Sequence, residues 1–303
     1  MVADAARTPR AGLASAVEEP VRRSQATVWR RFRRHRLAMI GAAILLLLAV
    51  SAIAAPVISR TSPYSIDLSA YQQGPSAAHW LGTDSAGRDV FSRLLYAGRV
   101  SLTVGLTSVA IYSAIGVLLG AIAGFYGGWV DSVLMRLADI FLAFPVLVII
   151  ITLAAMFGPS LTNLILAIGF LSWPLIARIL RGEVLSLRER EFVLAARASG
   201  ASPRRLIFRH LLPNAMAPII VAATLGIAYA ILLEAGLSFL GLGVQPPTPS
   251  WGNMLSDAQS LAVLSSMPWL WLPPGIMIAL AVLAINFIGD GLRDALDPYM
   301  SHR

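Results

Sequence analysis

The sequence contains no cysteine and no lysine, and charged residues of all kinds make up only 13% of its 303 residues. The lack of cysteine excludes disulfides, thiolate metal sites and thiol nucleophiles. The lack of lysine excludes a Walker A phosphate-binding loop, so any ATP chemistry must come from another subunit. Soluble domains carry roughly a quarter charged residues. With 57% hydrophobic residues and a mean hydropathy of +0.71, a water-soluble globule is nearly excluded.

Sets of residues that could carry catalysis or bind a metal are also missing. The four histidines are scattered along the chain and form no zinc-binding spacing. The stretch from Gly236 to Gly241 resembles a nucleophile elbow, but it has one residue too many and no strand precedes it. We therefore predict no catalytic residue, no metal and no cofactor, and a chain that is not an enzyme.

Long continuous apolar runs are what the sequence does contain. An α-helix needs about 20 apolar residues to cross a bilayer, and the runs do not alternate as the strands of an outer-membrane barrel would. We predict an all-α polytopic membrane protein with six transmembrane helices. The predicted spans are residues 37–58, 100–125, 140–157, about 164–180, 215–233 and 269–288.

The positive charge predicts the orientation of these spans. Nine arginines precede the first apolar run, and basic residues stay on the cytoplasmic side of a membrane. We predict a cytoplasmic arginine-rich tail over residues 1–36, an extracytoplasmic segment over 59–99, a core over 100–289 and a cytoplasmic tail over 290–303. Nucleic acid is not a predicted partner, because no aromatic platform for bases lies among the arginines.

A cleaved signal peptide is the alternative interpretation of the first run. Ala52 and Ala54 form an A-x-A pattern of the kind that precedes cleavage sites. The basic leader of 36 residues is long for a signal peptide, however, so we favour a retained first helix.

Small and acidic residues predict local features of the spans. Asp131 is expected to cap the helix that follows the turn at Gly127. Asp139 and Glu234 lie at or near span ends, which predicts an interfacial position; a role in a pathway is the alternative. A helix-packing face is predicted by glycines at four-residue spacing, namely Gly116, Gly120, Gly124 and Gly128.

An arginine-rich loop, residues 181–213, separates the fourth and fifth spans. It reads as two short helices, with Gly200 ending the first, Ser202 and Pro203 starting the second, and Pro213 halting that helix after Leu212. The first helix would gather four residues on one face, Phe192, Ala195, Ala196 and Ser199. Such a unit is shaped to dock in a groove, although a solvated loop would carry the same charges.

This loop resembles the EAA signature of bacterial ABC-importer permeases, whose pattern is E-A-A, three residues, G, nine residues and I-x-L-P. Ala195, Ala196, Gly200 and the pair Leu212–Pro213 occupy their places, while a leucine replaces the glutamate and a histidine the isoleucine. The fit is better to the dipeptide/oligopeptide/nickel subfamily, with E-[FY]-V-x-A-A-R-A-x-G-A-S and R-H-[IL]-L-P-N, at residues 191–202 and 209–214.

Three further stretches, residues 81–89, 234–252 and 286–298, resemble the same subfamily and indicate its C-type subunit. The resemblance implies a MetI-like permease core in the bacterial cytoplasmic membrane. The implied partners are a homologous B-type permease, one or two ABC ATPase subunits, an extracytoplasmic binding protein and the lipid bilayer. The implied function is a pathway for di- or oligopeptides, nickel or related small solutes; the substrate itself is not readable.

The resemblance also implies roles for particular residues. The loop would be the helix that couples the permease to an ATPase, through Glu191, Ala195, Ala196, Gly200, Ser202, Pro203, Arg204, Arg205, Leu212 and Pro213. The stiff proline-rich segment would form an outer gate or contact the binding protein, through Gln245, Pro246, Pro247, Pro249 and Trp251. The alternatives are an ATP-independent secondary transporter or channel, and a membrane scaffold without a pathway.

Overall fold

The computed structural model describes residues 25–296, so most of the predicted tail 1–36 and the last seven residues of the predicted tail 290–303 lie outside it. Within that range the regular structure is helical, and the only strand-like pairing is a single bridge between Thr83 and Asp89. The predicted all-α class is confirmed.

Fourteen α-helices follow one another in the described range. They are α1 Gln25–Arg34, α2 Arg36–Ile53, α3 Ala55–Ile58, α4 Val90–Tyr126, α5 Gly128–Ala143, α6 Val146–Phe157, α7 Leu161–Leu171, α8 Trp173–Leu187, α9 Glu191–Ala198, α10 Pro203–Arg205, α11 Leu212–Phe239, α12 Trp251–Met254, α13 Leu261–Ser266 and α14 Pro268–Leu296.

Five of the helical stretches are long and apolar enough to cross a membrane, and a sixth is possible if the bent pair α5–α6 counts as one span. The two helices of that pair meet at 77°. The long spans extend beyond the predicted ones: α4 begins ten residues before residue 100, and α7–α8 run without a long break over Leu161–Leu187. A helix can continue beyond the hydrocarbon layer because its backbone N–H and C=O groups stay hydrogen-bonded to one another in water as well.

The prediction that Pro213 halts a helix is wrong. A π-helical turn over Leu206–Leu211 joins α10 to α11, so the fifth span runs continuously over Pro203–Phe239. Proline lacks an amide hydrogen, and its ring crowds the carbonyl one turn earlier. The π turn, which is wider than an α-helical turn, lies where that crowding would occur and so makes room for the proline ring. The side-chain amide of Asn214 donates a hydrogen bond to the His210 carbonyl at 2.6 Å.

The glycine stripe of α4 packs on α8, as predicted, through three of its four members. A methyl group on Gly120 would come within 2.5 Å of the Ala177 carbonyl oxygen, and one on Gly124 within 2.8 Å of the Val184 side chain. Gly116 meets Ile176 in the same way. Gly128 is not part of this face, because it starts α5 and has open space around it.

The bundle has two ends, which we call lower and upper. The lower end carries residues 188–202, between α8 and the fifth span; the upper end carries residues 240–267, between α11 and α14. At the lower end Asp131 does not cap α5, contrary to expectation, but receives a two-pronged contact from Arg181, with Nη2–Oδ2 at 2.6 Å. Asp139 pairs with Arg178, so two ion pairs tie α5 to α8.

Candidate functional site

The turn between α8 and the fifth span has the two-helix form predicted for the coupling loop, although it is shorter than residues 181–213. Helix α8 extends to Leu187, and the fifth span already begins at Pro203. Gly200 has a φ of +79°, the left-handed conformation that ends α9, and the Ser202 hydroxyl caps α10 by accepting the Arg205 amide at 3.4 Å.

Buried side chains fasten this turn to the bundle. Val193 of α9 is fully buried, and it lies in one core cluster with Leu206 and Leu211 of the π turn. Arg188 donates to the Gly124 carbonyl at 3.2 Å, and Arg197 lies over the Phe125 ring at 6.0 Å. The turn is therefore attached to α4 as well as to its flanking spans, and a displacement of one would reach the others.

The opposite surface of the turn is exposed. Leu194 of α9 and Phe208 of the adjoining π turn expose 48% and 60% of their surfaces. The predicted common face of α9 is divided, because Ala195 and Ser199 are exposed while Phe192 and Ala196 pack partly on the core. Most of the predicted coupling residues are exposed, namely Glu191, Ala195, Gly200, Ser202, Pro203, Arg204, Arg205 and Pro213; Ala196 and Leu212 are half-buried.

A buried carboxylate organises the upper end. Glu234 of α11 has no exposed surface, so it is not interfacial as the sequence predicted. Its Oε2 accepts the Ser101 hydroxyl of α4 at 2.8 Å, and its Oε1 accepts the Ser238 hydroxyl at 2.7 Å. Those hydroxyl oxygens in turn accept backbone amides of the following segment, from Trp251 at 3.2 Å and Val244 at 3.0 Å.

The proline-rich segment divides into an inner and an outer part. Trp251 is 2% exposed, and its indole donates to the Leu94 carbonyl at 3.2 Å, so it is a core residue and cannot be a surface contact. Pro249 is also buried. Pro246 and Pro247 are exposed, joined by a cis peptide bond, and Gln245 is half-buried beside them. Only these last three keep the surface that the predicted contact role requires.

A charged cavity of about 210 Å³ lies beside the proline-rich segment. Asp84 on its wall pairs with Arg88 at 2.7 Å and with Arg93 at 3.3 Å. Arg93 also donates to the Pro63 carbonyl at 3.2 Å and to the Pro247 carbonyl at 3.5 Å, so it links the two upper segments. Asp257 also lines the cavity. Burial, followed by the negative charge of Asp84, raises the pKa of the Asp257 carboxyl, while the positive charges of Arg88 and Arg93 lower it.

Sequence reasoning did not find the partners of Glu234 or the buried role of Arg93. One signal was present: Ser238 lies four residues after Glu234, on the same helix face, where its hydroxyl can reach the carboxylate. Ser101 lies 133 residues away, and no local pattern connects it to Glu234.

Residues 116–302 match the family of binding-protein-dependent transport system inner membrane components, and residues 26–76 match the N-terminal transmembrane domain of oligopeptide transport permease C. A dipeptide transport system permease protein, DppC, of Alkalihalophilus pseudofirmus is 48% identical over 90% of this chain and 89% of its own length. A glutathione transport system permease protein, GsiD, of Pectobacterium atrosepticum is 42% identical over 93% of both chains.

Among solved structures, a chain of the MetNI methionine ABC transporter in an inward-facing conformation superposes with a TM-score of 0.54. That match covers 68% of this chain and 96% of the other at 19% identity, so it shows the fold. The relatives are transport permeases and not enzymes, and the family works with another permease and with ATPase subunits. The chain is a multi-pass protein of the bacterial inner membrane and belongs to the family of binding-protein-dependent ABC-importer permeases.

Proposed function

We propose that this chain is the C-type permease of an importer for di- or oligopeptides, and that it forms the pathway with a homologous B-type permease. The observation that carries the ATP-driven part of this proposal is the turn 188–202, which is attached to three spans and which, together with the adjoining π turn, leaves Leu194 and Phe208 exposed. Support for peptides as substrates comes from the dipeptide permease among the relatives. The glutathione permease carries a peptide-like solute, which fits the same class.

In this proposal the lower end faces the cytoplasm and the exposed surface of the turn lies in a cleft of one ATPase subunit. Arg204 and Arg205 then offer positive charge to the ATPase, while the side chains of Leu194 and Phe208 supply apolar contact. Closure of the ATPases would displace the turn as one body, because its buried face is fixed to the core. The spans α8 and α11 would tilt with it.

The upper end then faces the binding protein, and Gln245, Pro246 and Pro247 form the contact. Pro249 and Trp251 hold that contact in place from inside, through the hydrogen bonds of Trp251 to Leu94 and Ser101. In the same proposal residues 1–36 and 290–303 are cytoplasmic and the segment 59–99, which includes the first ten residues of α4, is extracytoplasmic.

A crosslinking experiment tests the coupling surface. The cysteine-free chain allows a single cysteine at Arg204, and a short crosslinker is then applied to membranes that contain the whole transporter. We expect this cysteine to capture an ATPase subunit, identified by mass spectrometry. A cysteine at Leu68, which is 75% exposed at the upper end, is the matched control and should capture none. If the Arg204 cysteine reacts with soluble thiol reagents but captures no ATPase, the assignment of this surface to the ATPase contact is wrong.

Changing Gly200 to proline should abolish coupling without preventing assembly. Proline cannot adopt the φ of +79°, and it removes the amide that donates to the Arg197 carbonyl at 3.0 Å. We expect uptake of a labelled dipeptide by the intact transporter to fall at least tenfold, while the ATPase still copurifies.

The control for this variant is Gly158→Pro. Gly158 has a φ of +80° in the turn between α6 and α7, at the opposite end of the bundle, and has open space around it. Dipeptide uptake by the Gly158→Pro transporter should stay above uptake by the Gly200→Pro transporter. Equal loss in both would mean that backbone strain alone is responsible, and unchanged uptake in Gly200→Pro would refute the coupling role. Absence of dipeptide uptake in the unmodified transporter would refute the substrate class only.

A further inference from the structure

Helix α1 lies just before the first span and is held in a defined place at the lower end. Phe32 is 7% exposed and packs with Ala38 and Ala295, and Val28 adds to the same small cluster. At the junction with α2, the Nδ1 atom of His35 accepts the Ala38 amide at 3.1 Å, and its Nε2 lies 3.3 Å from Asp294 of α14. The position of α1 is therefore fixed by the fold and is not that of a loose tail.

The other side of α1 and the first residue of α2 are strongly basic. Arg30, Arg33, Arg34 and Arg36 are all exposed. None of the four forms an ion pair or a hydrogen bond with a side chain of residues 25–296. Asp294, an acidic residue close to this junction, is already paired with His35. Four guanidinium groups are thus available to an external anion.

The level of α1 relative to the membrane follows from its neighbour. Helix α2 starts at Arg36, and Leu37 and Ile40 in its first turns each expose 50% of their surfaces, as expected for side chains that meet lipid chains. Helix α1 therefore lies at the boundary between hydrocarbon and water. Trp29 is 59% exposed there and stacks on Phe32 with ring centroids 6.0 Å apart. Tryptophan is enriched at this depth of the bilayer.

We propose that α1 is a binding site for anionic phospholipid headgroups. Guanidinium groups bind phosphate oxygens through paired hydrogen bonds, and a cluster of basic residues beside a span attracts an anionic leaflet. Trp29 occupies the interface next to them. The site needs only that α2 spans the membrane, so it does not depend on the substrate or on the coupling role of the turn 188–202.

An ATPase surface is the other candidate for the same arginines, and the structure favours lipid. Helix α1 packs on α2 and α14, whereas α9 packs on the π turn of the fifth span. The apolar side chains that accompany the arginines, Leu37 and Ile40, continue into a lipid-facing surface. A basic surface that merges with lipid-exposed side chains matches a headgroup layer better than it matches a soluble subunit.

The test measures lipid retention by the purified whole transporter. The transporter is exchanged into micelles that contain equal amounts of phosphatidylglycerol and phosphatidylcholine, and native mass spectrometry counts the lipids that remain bound. We expect phosphatidylglycerol to be retained at least fivefold over phosphatidylcholine, and this preference to disappear in the variant R30Q/R33Q/R34Q/R36Q. Salt screens charges on an exposed surface, so 0.5 M salt should reduce the wild-type preference for phosphatidylglycerol about fivefold.

Two further variants separate the causes. R30K/R33K/R34K/R36K keeps the charge and should keep most of the preference. R60Q/R99Q/R136Q removes three exposed arginines that lie outside α1 and outside the proposed ATPase contact, and should leave lipid retention unchanged. The proposal is overturned if wild type shows no preference or if the α1 glutamine variant retains it. If that variant retains the preference and also loses the ATPase subunits, the arginines contact the ATPase instead.

Discussion

Replacing Glu234 with alanine will destabilise the upper end by about 3 kcal/mol and release the segment that follows α11. The buried carboxyl group of Glu234 accepts hydrogen bonds from the Ser101 and Ser238 hydroxyls, and a buried hydrogen-bonding group left without its partner costs roughly 1–3 kcal/mol. The melting temperature of the purified complex should fall by about 5–10 °C, which heat denaturation in detergent can measure.

The release of the segment can be measured separately from overall stability. A cysteine in place of Val244, which is 3% exposed, should be almost inert to thiol reagents in the wild-type background and at least tenfold more reactive beside Glu234→Ala. Glu189→Gln is the control for losing one carboxylate. The Glu189 side chain is 78% exposed, and its nearest arginine nitrogen, on Arg188, is 4.0 Å away, so it makes no close contact. Unchanged reactivity at residue 244 would show that the two serines hold the segment without Glu234.

Replacing Gly120 with valine will prevent close contact between α4 and α8 and leave little folded complex. Even one methyl group would lie 2.5 Å from the Ala177 carbonyl oxygen and 3.0 Å from its Cα, and backbone atoms cannot turn aside as side chains do. Overpacking of this kind costs about 1–3 kcal/mol for extra methylene groups, and valine adds a branched side chain. We expect a loss of more than about 3 kcal/mol, visible as a yield of assembled complex at least tenfold below wild type.

Ala114→Val on the exposed side of the same helix is the matched control. It adds a branched side chain of the same type without an Ala177 backbone in its way, so the yield of complex should remain within twofold of wild type. If Gly120→Val assembled normally, the helices would have to separate at little cost, and the interpretation of the glycine stripe as a close-packed interface would be wrong.

The sequence predicted the features that depend on residues within one or two turns. A run of about 20 apolar residues crosses a bilayer whatever the rest of the chain does, so the helical membrane class and the approximate spans could be predicted. The turn at Gly200 and the cap at Ser202 were equally predictable, because a left-handed φ and an N-cap hydroxyl are set by the residue itself and by its neighbours along the chain.

Only the tertiary structure decided what depends on distant partners. Ser101 contacts Glu234, which lies 133 residues away in the sequence, and Trp251, which lies 150 residues away. The residues next to Glu234 and Trp251 in the sequence therefore do not indicate that these two side chains are buried. Pro213 likewise resembles a helix stop until the π turn before it accommodates the ring. Local chemistry determines that each segment is helical and apolar, but burial and hydrogen bonding inside the bundle depend on which helices meet, and that is a property of the packed fold.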